Sequence, residues 1–377
     1  MAKVKLSDVI IRANTKVDKD HTDLKYYVGG EHFETGNVTV EQRGLIEGST
    51  IGPMFYYGFK SGQFLLVSRN PHLKKAGVID FDGICSEKTF VLQTANPEVL
   101  IPEYLPFVLQ NDRFWDYAVE HKHGSTNFFI NWSTLADYEF ELPSIEEQNR
   151  VATLAWAAHR LKKEYQKLIE ATDNLVKSQF IEMFGNPVTN ERKWPTEQLK
   201  HVAPEHTPSI PTQETYWLLN LDMIESYSGR TIEKVIESAE NMGPSISPFD
   251  SSMVLYSKLR PYLNKVIVPE DYGFATTELV GMKPDEAVLN KYFLFNLLRG
   301  DDFVSYANGI SAGGHMPRMP MKQLREFQCI LPPMVLQTQF VELSMQSDKS
   351  KFVAGSISNR NLSRCSETSA QMKKAGD

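Results

Sequence analysis

Apolar and polar positions follow one order along this chain, and then the same order again. A strand-like run, FLLVS at 64–68, leads into a basic, turn-rich stretch, RNPHLKKAG. A second run rich in β-branched and aromatic residues follows, KTFVLQT, as strands favour. Apolar residues then recur at three and four spacing, at Leu105, Val108, Leu109, Phe114 and Tyr117, which predicts a helix. A polar, glycine-bearing segment, HKHGSTNFF, precedes a strand with Tyr138, Phe140 and Leu142 on one face, stopped by Pro143. The second succession reads MVLYS (253–257), KLRPYLNK, TELVGMK, FLFNLLRGDDFVSYA (293–307), NGISAGGHMPRMP and FQCILP (327–332).

The two successions are a duplication. At a displacement of 189 residues, YLPFVLQNDRFWDYA (104–118) falls on FLFNLLRGDDFVSYA, with Leu105, Leu109, Asp112, Phe114, Tyr117 and Ala118 meeting identical residues. LPSIEEQ (142–148) falls on LPPMVLQ (331–337), and at the same displacement FLLVS falls on MVLYS. Array repeats have periods of about 20 to 50 residues, so this is a repeated domain. The fold class expected is α+β, with two tandem mixed α/β domains of about 140 residues each, at 1–143 and 191–332.

Between them the pattern changes to a helical one. Ser144 with Glu147 three residues on reads as a capping box. From there Val151, Leu154, Ala158, Leu161, Tyr165, Leu168, Thr172 and Leu175 alternate in steps of three and four, a heptad seam. No glycine or proline interrupts until Gly185, so 144–190 reads as a spacer helix, a rod of roughly 60 Å. After the second domain, 333–377 begins in the same way, with Phe340 and Leu343 at the first two seam positions. The next equivalents, Ser347, Ser350, Ala354, Ile357, Asn361 and Arg364, are too polar to hold a full coiled coil, so this second helix reads as shortened or frayed.

Composition narrows the function by exclusion. No run approaches 18 uninterrupted apolar residues and the N-terminus has no apolar signal core, so neither a membrane span nor secretion is expected. Three scattered cysteines argue for a reducing, cytoplasmic setting without a disulfide framework or a cysteine zinc site. The phosphate-loop, HExxH, CxxC and dinucleotide-type glycine patterns are all missing. Asp80 and Asp82 read as a turn before they read as a metal pair, and His121 with His123 as a polar loop. Ser68 and Ser257 repeat without a histidine beside them, so no nucleophile is indicated. Two copies that share no acid, base or ligand set point to binding: no catalytic residue, no metal and no cofactor of its own.

The net charge of −7 means that any nucleic-acid contact must come from local basic loops or be shared with a partner. Arg69, Lys74 and Lys75 stand in the first succession where Lys258, Arg260 and Lys265 stand in the second. Loops with such cations suit phosphate contact. Lys122, His123, Ser125, Thr126 and Asn127, with His315 and Arg318 in the second copy, supply donors suited to groove readout.

A domain ending in LP-x-x-x-x-Q, a long helix closing with KSQFIEMFG (177–185) and a fresh start at WPTEQLKHV (194–202) together resemble the specificity subunit of type I restriction–modification enzymes. VKLSDVI near the N-terminus is similar to EQLKHVA at the start of the second domain, and the resemblance covers nearly the whole chain. It implies two target-recognition domains, each reading half of a split, asymmetric site in double-stranded DNA. It implies two helices pairing as an antiparallel coiled coil with pseudo-twofold symmetry, which fix half-site spacing and dock two methyltransferase subunits. S-adenosylmethionine, ATP and Mg are then expected on partner subunits, ATP on the restriction/translocase subunits. Leu142, Pro143 and Gln148, with Leu331, Pro332 and Gln337, carry over as the junctions between domain and helix. Nothing like KSQFIEMFG follows residue 350, which sets the second helix apart from the family pattern. A duplicated protein-binding scaffold and a divergent nuclease at Asp80 and Asp82 are the alternatives.

Overall fold

The computed structural model describes residues 2–347. The seam positions from Ser350 to Arg364, and the rest of the tail expected at the end of the second helix, lie outside the described residues. Of these residues, those up to Lys162 form one compact unit and those from Lys163 form another.

In the first unit, among the described residues, a five-stranded sheet runs in the order Ile10–Ala13, Thr89–Thr94, Phe64–Val67, Ala76–Ile79, Thr39–Val40. It is antiparallel except for the last pair. A four-stranded sheet is built from Gly44–Leu45, Tyr26–Val28, Gly83–Ser86 and Phe55–Phe59. Period-two alternation in the central strands makes both layers possible. Phe64, Leu66, Phe90 and Leu92 point to a helical layer carrying Leu105, Val108, Leu109, Phe114 and Trp115. Leu65, Val67 and Val91 point the other way, to Val28, Phe59 and Cys85 of the second sheet. Both faces of these strands are buried, which is why FLLV reads as a continuous apolar run.

The second unit repeats the layering, with a central sheet of three strands among the described residues beside a four-stranded one. Val254, Tyr256, Val280 and Met282 face helices, with Phe293, Leu294, Leu297 and Phe303. Leu255 and Leu279 face a second sheet through Trp217, Leu219, Phe249 and Ala275. Each unit is closed by a two-stranded pair joining its first and last strands, Ala2–Lys5 with Glu139–Leu142 and Thr196–Gln198 with Gln328–Ile330.

Two expectations are corrected by this architecture. The helix read over 105–117 is two helices, Leu105–Leu109 and Asp112–Glu120, because Asn111 adopts an extended backbone and its side chain accepts from the Arg113 amide as an N-cap. Its counterpart breaks at Gly300, between Lys291–Arg299 and Asp301–Ile310. The constant displacement also fails. The opening strands match at 193 residues, Leu6 N and Leu199 N donating to the equivalent carbonyls of Tyr138 and Phe327. The strands around Phe64–Val67 match Val254–Ser257 at 190, and only the C-terminal part of each unit holds 189. Ser257 is therefore the counterpart of Val67, and Ser68 that of Lys258; the serines are not equivalent. Short differences in loop length slid the register without disturbing the strands.

The long helix spans Ile145–Phe184 without a break, about 60 Å. Its capping box is half formed. The Glu147 amide reaches Ser144 Oγ at 3.4 Å, but the Glu147 carboxylate takes a fork from Arg150 at 2.6 and 2.8 Å instead of reaching back. Residues 334–347 are helical, up to the last described residue.

Candidate nucleic-acid interface and helix junctions

The basic loops take their shape from a repeated turn. In the first unit Asn70 (φ 50°) and Lys74 (φ 47°) bracket a short 3-10 turn at Pro71–Leu73. In the second, Arg260 (φ 50°) and Asn264 (φ 47°) bracket Pro261–Leu263. Four non-glycine residues held left-handed at matching places carry strain, which folded proteins keep where geometry serves a purpose. P-x-L-x-K at 71–75 and 261–265 is the sequence signal that fixes this match.

This turn is stitched to the glycine-bearing segment. The Asn70 amide donates to Phe128 O at 2.8 Å, and the Arg260 amide to Pro317 O at 2.7 Å. His123 and Phe129 exchange backbone bonds at 2.7 and 3.0 Å, and Ala312 and Arg318 do so at 3.2 and 2.9 Å, each pair closing a small hairpin. Gly124 (φ 90°) and Gly313 (φ 107°) turn those hairpins; a Cβ on Gly124 would stand 2.7 Å from Asn127 O. The tip residues Ser125, Thr126 and Asn127, and His315 in the second unit, are exposed. Neither Phe129 nor the bracketing Asn70 was singled out by the sequence, though both organise the loop.

The candidate cations divide into two groups. Arg69 is exposed beside the first hairpin, and Lys122 lies over the Phe128 ring at 4.7 Å. Arg318 sits on its hairpin in a loose fork to Glu278 at 3.2 and 3.3 Å, next to Lys258, whose ammonium bonds Thr277 O at 2.8 Å. Arg260 lies in the turn itself. These residues, with His123 and His315, are brought together within their own units. Lys75 and Lys265 turn away, donating at 2.6 Å to Gly30 O and Leu221 O, each the first residue of a 3-10 turn by the four-stranded sheet. Burial pulls the Lys265 ammonium below the usual lysine range, opposed by Asp222. Lys74 pairs with Asp112 at 2.6 Å. The two basic clusters thus share a loop without corresponding residue by residue: only Lys75 and Lys265 are equivalent, and both donate to backbone carbonyls.

The candidate metal residues do not assemble. Asp82 accepts from the Ser61 amide at 2.8 Å, as in an ordinary turn. His121 stacks on Tyr117 while His123 leans on Phe129. Among the described residues no group of three or more His, Cys, Asp or Glu is placed to hold a metal ion. No described helix is long and apolar enough to cross a membrane.

At the junctions, Leu142, Pro332 and the two glutamines are buried, and Pro143 and Leu331 half-buried. Gln148 Oε1 accepts from the Ile101 amide at 3.0 Å, and Nε2 donates to Val99 O at 2.9 Å and Pro143 O at 3.0 Å. Gln337 Oε1 accepts from the Asn290 amide at 3.0 Å, and Nε2 donates to Val288 O at 2.9 Å and Pro332 O at 2.8 Å. Every partner matches at 189 residues. This is what the repeated LP-x-x-x-x-Q does: its last residue locks the helix start to the domain.

The long helix packs through a stripe other than the heptad seam. Within the first unit Ala152 is buried, Trp156 packs edge-on against Phe107 and donates to Glu103 O at 2.8 Å, and His159 meets Thr39. Within the second, Val176, Phe180 and Phe184 enter the core. Phe180, Phe184, Phe293 and Phe340 pack ring on ring, and Leu343 packs beside them. Seam residues Leu154, Leu161, Leu168 and Leu175 stay 53, 41, 55 and 58% exposed, with Val151 and Tyr165 half-buried. Phe340, placed on the second seam by the sequence, is fully buried against Phe180 and Phe184 at the end of the long helix.

No protein-family model matches the chain. A curated Escherichia coli protein, the type I restriction enzyme EcoDI specificity subunit, is 22% identical over 291 residues. That match covers 68% of this chain and 64% of the relative, so the chain spans less than two thirds of that relative's length. Among solved structures, the S subunit of a type I restriction–modification system from M. genitalium covers 97% of this chain, with 94% of its own length, at a TM-score of 0.57 and 14% identity. The HsdS subunit from Thermoanaerobacter tengcongensis covers 97% of the chain, with 94% of its own length, at 0.38 and 16%. The chain is thus similar in sequence to a type I restriction enzyme specificity subunit, and in its fold to a type I S subunit.

Proposed function

We propose that this chain is the non-catalytic DNA-specificity subunit of a type I restriction–modification complex, each globular unit presenting its turn and hairpin to one half of a split, asymmetric target. The observation that carries this reading is the repeated pairing of a left-handed basic turn with a glycine hairpin, cross-linked by equivalent backbone bonds in both units. The strands hold the loops rigidly, so their polar tips can read base edges while neighbouring cations meet phosphates. The similarity to a type I specificity subunit supports it. The exposed leucines of the long helix suit docking of two methyltransferase subunits, which supply S-adenosylmethionine chemistry, and restriction/translocase subunits supply ATP and Mg. The separate domains 1–143 and 191–332, each followed by a spacer helix, belong to this reading.

Adenine methylation mapped genome-wide in a host, with and without the gene, tests it. A split motif that loses modification on deletion is the expected result; an unchanged map refutes it. Charge reversal at Arg69 and Arg318 that leaves methylation intact would favour the protein-binding scaffold.

A further inference from the structure

Each domain-to-helix junction is fastened by one buried side-chain amide that uses its oxygen and both its hydrogens. Gln148 and Gln337 are both wholly buried. An apolar contact between a helix and a domain is non-directional and lets the helix slide or roll. Three hydrogen bonds to fixed backbone atoms do not, because each weakens steeply when bent or stretched. The partners also come from two different places. Val99 and Ile101 lie in the turn that enters the helical layer, and Pro143 ends the strand that closes the unit. One amide therefore ties the helix to two separate parts of the domain, which fixes tilt and rotation together. Around it the two junctions differ: Trp156 anchors the long helix, whereas Phe340 anchors the second. The amide is the part they share.

We propose that Gln148 and Gln337 are positioning residues for target spacing: each fixes the angle at which its unit's reading loops stand on the following helix. This rests on the function proposed above. On B-DNA a step of one base pair is about 3.4 Å of rise and roughly 34° of rotation, so a domain free to roll on its helix would accept half-sites one pair out of phase.

The test uses the assembled methyltransferase complex carrying Gln148→Met or Gln337→Met, which keep the side-chain length and lose the bonds. Methylation is mapped genome-wide beside a control, Leu135→Ala, that weakens the core away from the junction. The expected result is roughly tenfold more modification at sites whose spacer is one pair longer or shorter, with the bases of both half-sites unchanged. If Gln148→Met fails to accumulate, Gln148→Leu, which places no charge or new acceptor against the Val99 and Pro143 carbonyls, is read in the same way. Less methylation at an unchanged spacing, as the control should give, overturns the proposal and leaves the glutamines as ordinary structural residues. A wild-type complex that marks no split motif at all instead overturns the function on which the proposal rests.

Discussion

The division of the basic residues into outward and inward groups can be measured as a salt dependence. Each phosphate neutralised by a protein cation adds about −0.9 to the slope of log K against log salt. Arg69 is exposed beside the first hairpin, and Lys122 is half-buried over a ring that leaves its charge intact. Replacing both with alanine should reduce the magnitude of the slope by about 1.8, so that the affinity lost between 50 and 200 mM salt shrinks by roughly tenfold. Lys75 carries the same charge a few residues away, but its ammonium is spent on Gly30 O. Lys75→Met should leave the slope alone and instead destabilise the first unit by about 1.5–3 kcal/mol, the worth of one bond from a charged donor. Fluorescence anisotropy of a labelled duplex, titrated with the chain at several salt concentrations, gives the slope; thermal unfolding gives the stability. An unchanged slope for the double variant, or an equal fall for Lys75→Met, would refute the assignment of these loops to DNA.

Gly124→Ala puts a Cβ 2.7 Å from Asn127 O at a φ of 90°, so it should distort the hairpin and lower affinity without unfolding the unit, as circular dichroism beside the same titration would show. Phe340→Ala removes a fully buried ring from the four-phenylalanine cluster and should cost about 3–5 kcal/mol, read as a fall in melting temperature of roughly 10 °C. Tyr256 is buried and its hydroxyl has no hydrogen-bond partner among the described residues, so Tyr256→Phe should be neutral or stabilising by about 1 kcal/mol in a denaturant titration.

Much of the architecture was legible because apolar periodicity is a burial signal. FLLV and its counterpart are apolar throughout since both faces are covered, and the 40-residue helix is continuous because no glycine or proline breaks it. What escaped reading lay in backbone geometry. A fixed displacement paired Ser68 with Ser257, whereas strand register pairs Ser257 with Val67; loops absorb single residues without any mark in composition. The charges of Lys75 and Lys265 suggested phosphate contact, yet their side chains reach carbonyls contributed by residues far off in the chain. LP-x-x-x-x-Q was visible as a boundary, but its glutamine's role depends on amides and carbonyls tens of residues away.

In each unit the first and last strands lie side by side, Lys3 opposite Glu141 and Glu197 opposite Cys329. Entry and exit of the chain are then only about 5 Å apart, the spacing of paired strands. A unit with adjacent ends is a cassette: exchanging it for another of different length moves nothing outside it, provided the cuts fall before the opening strand and after the closing one. The sliding displacement between the two copies records that freedom. Residues were gained and lost inside the cassettes while the seams at Leu142 and Leu331 kept their distance from the glutamines that follow. New loops can thus be installed without rebuilding the helices that hold them.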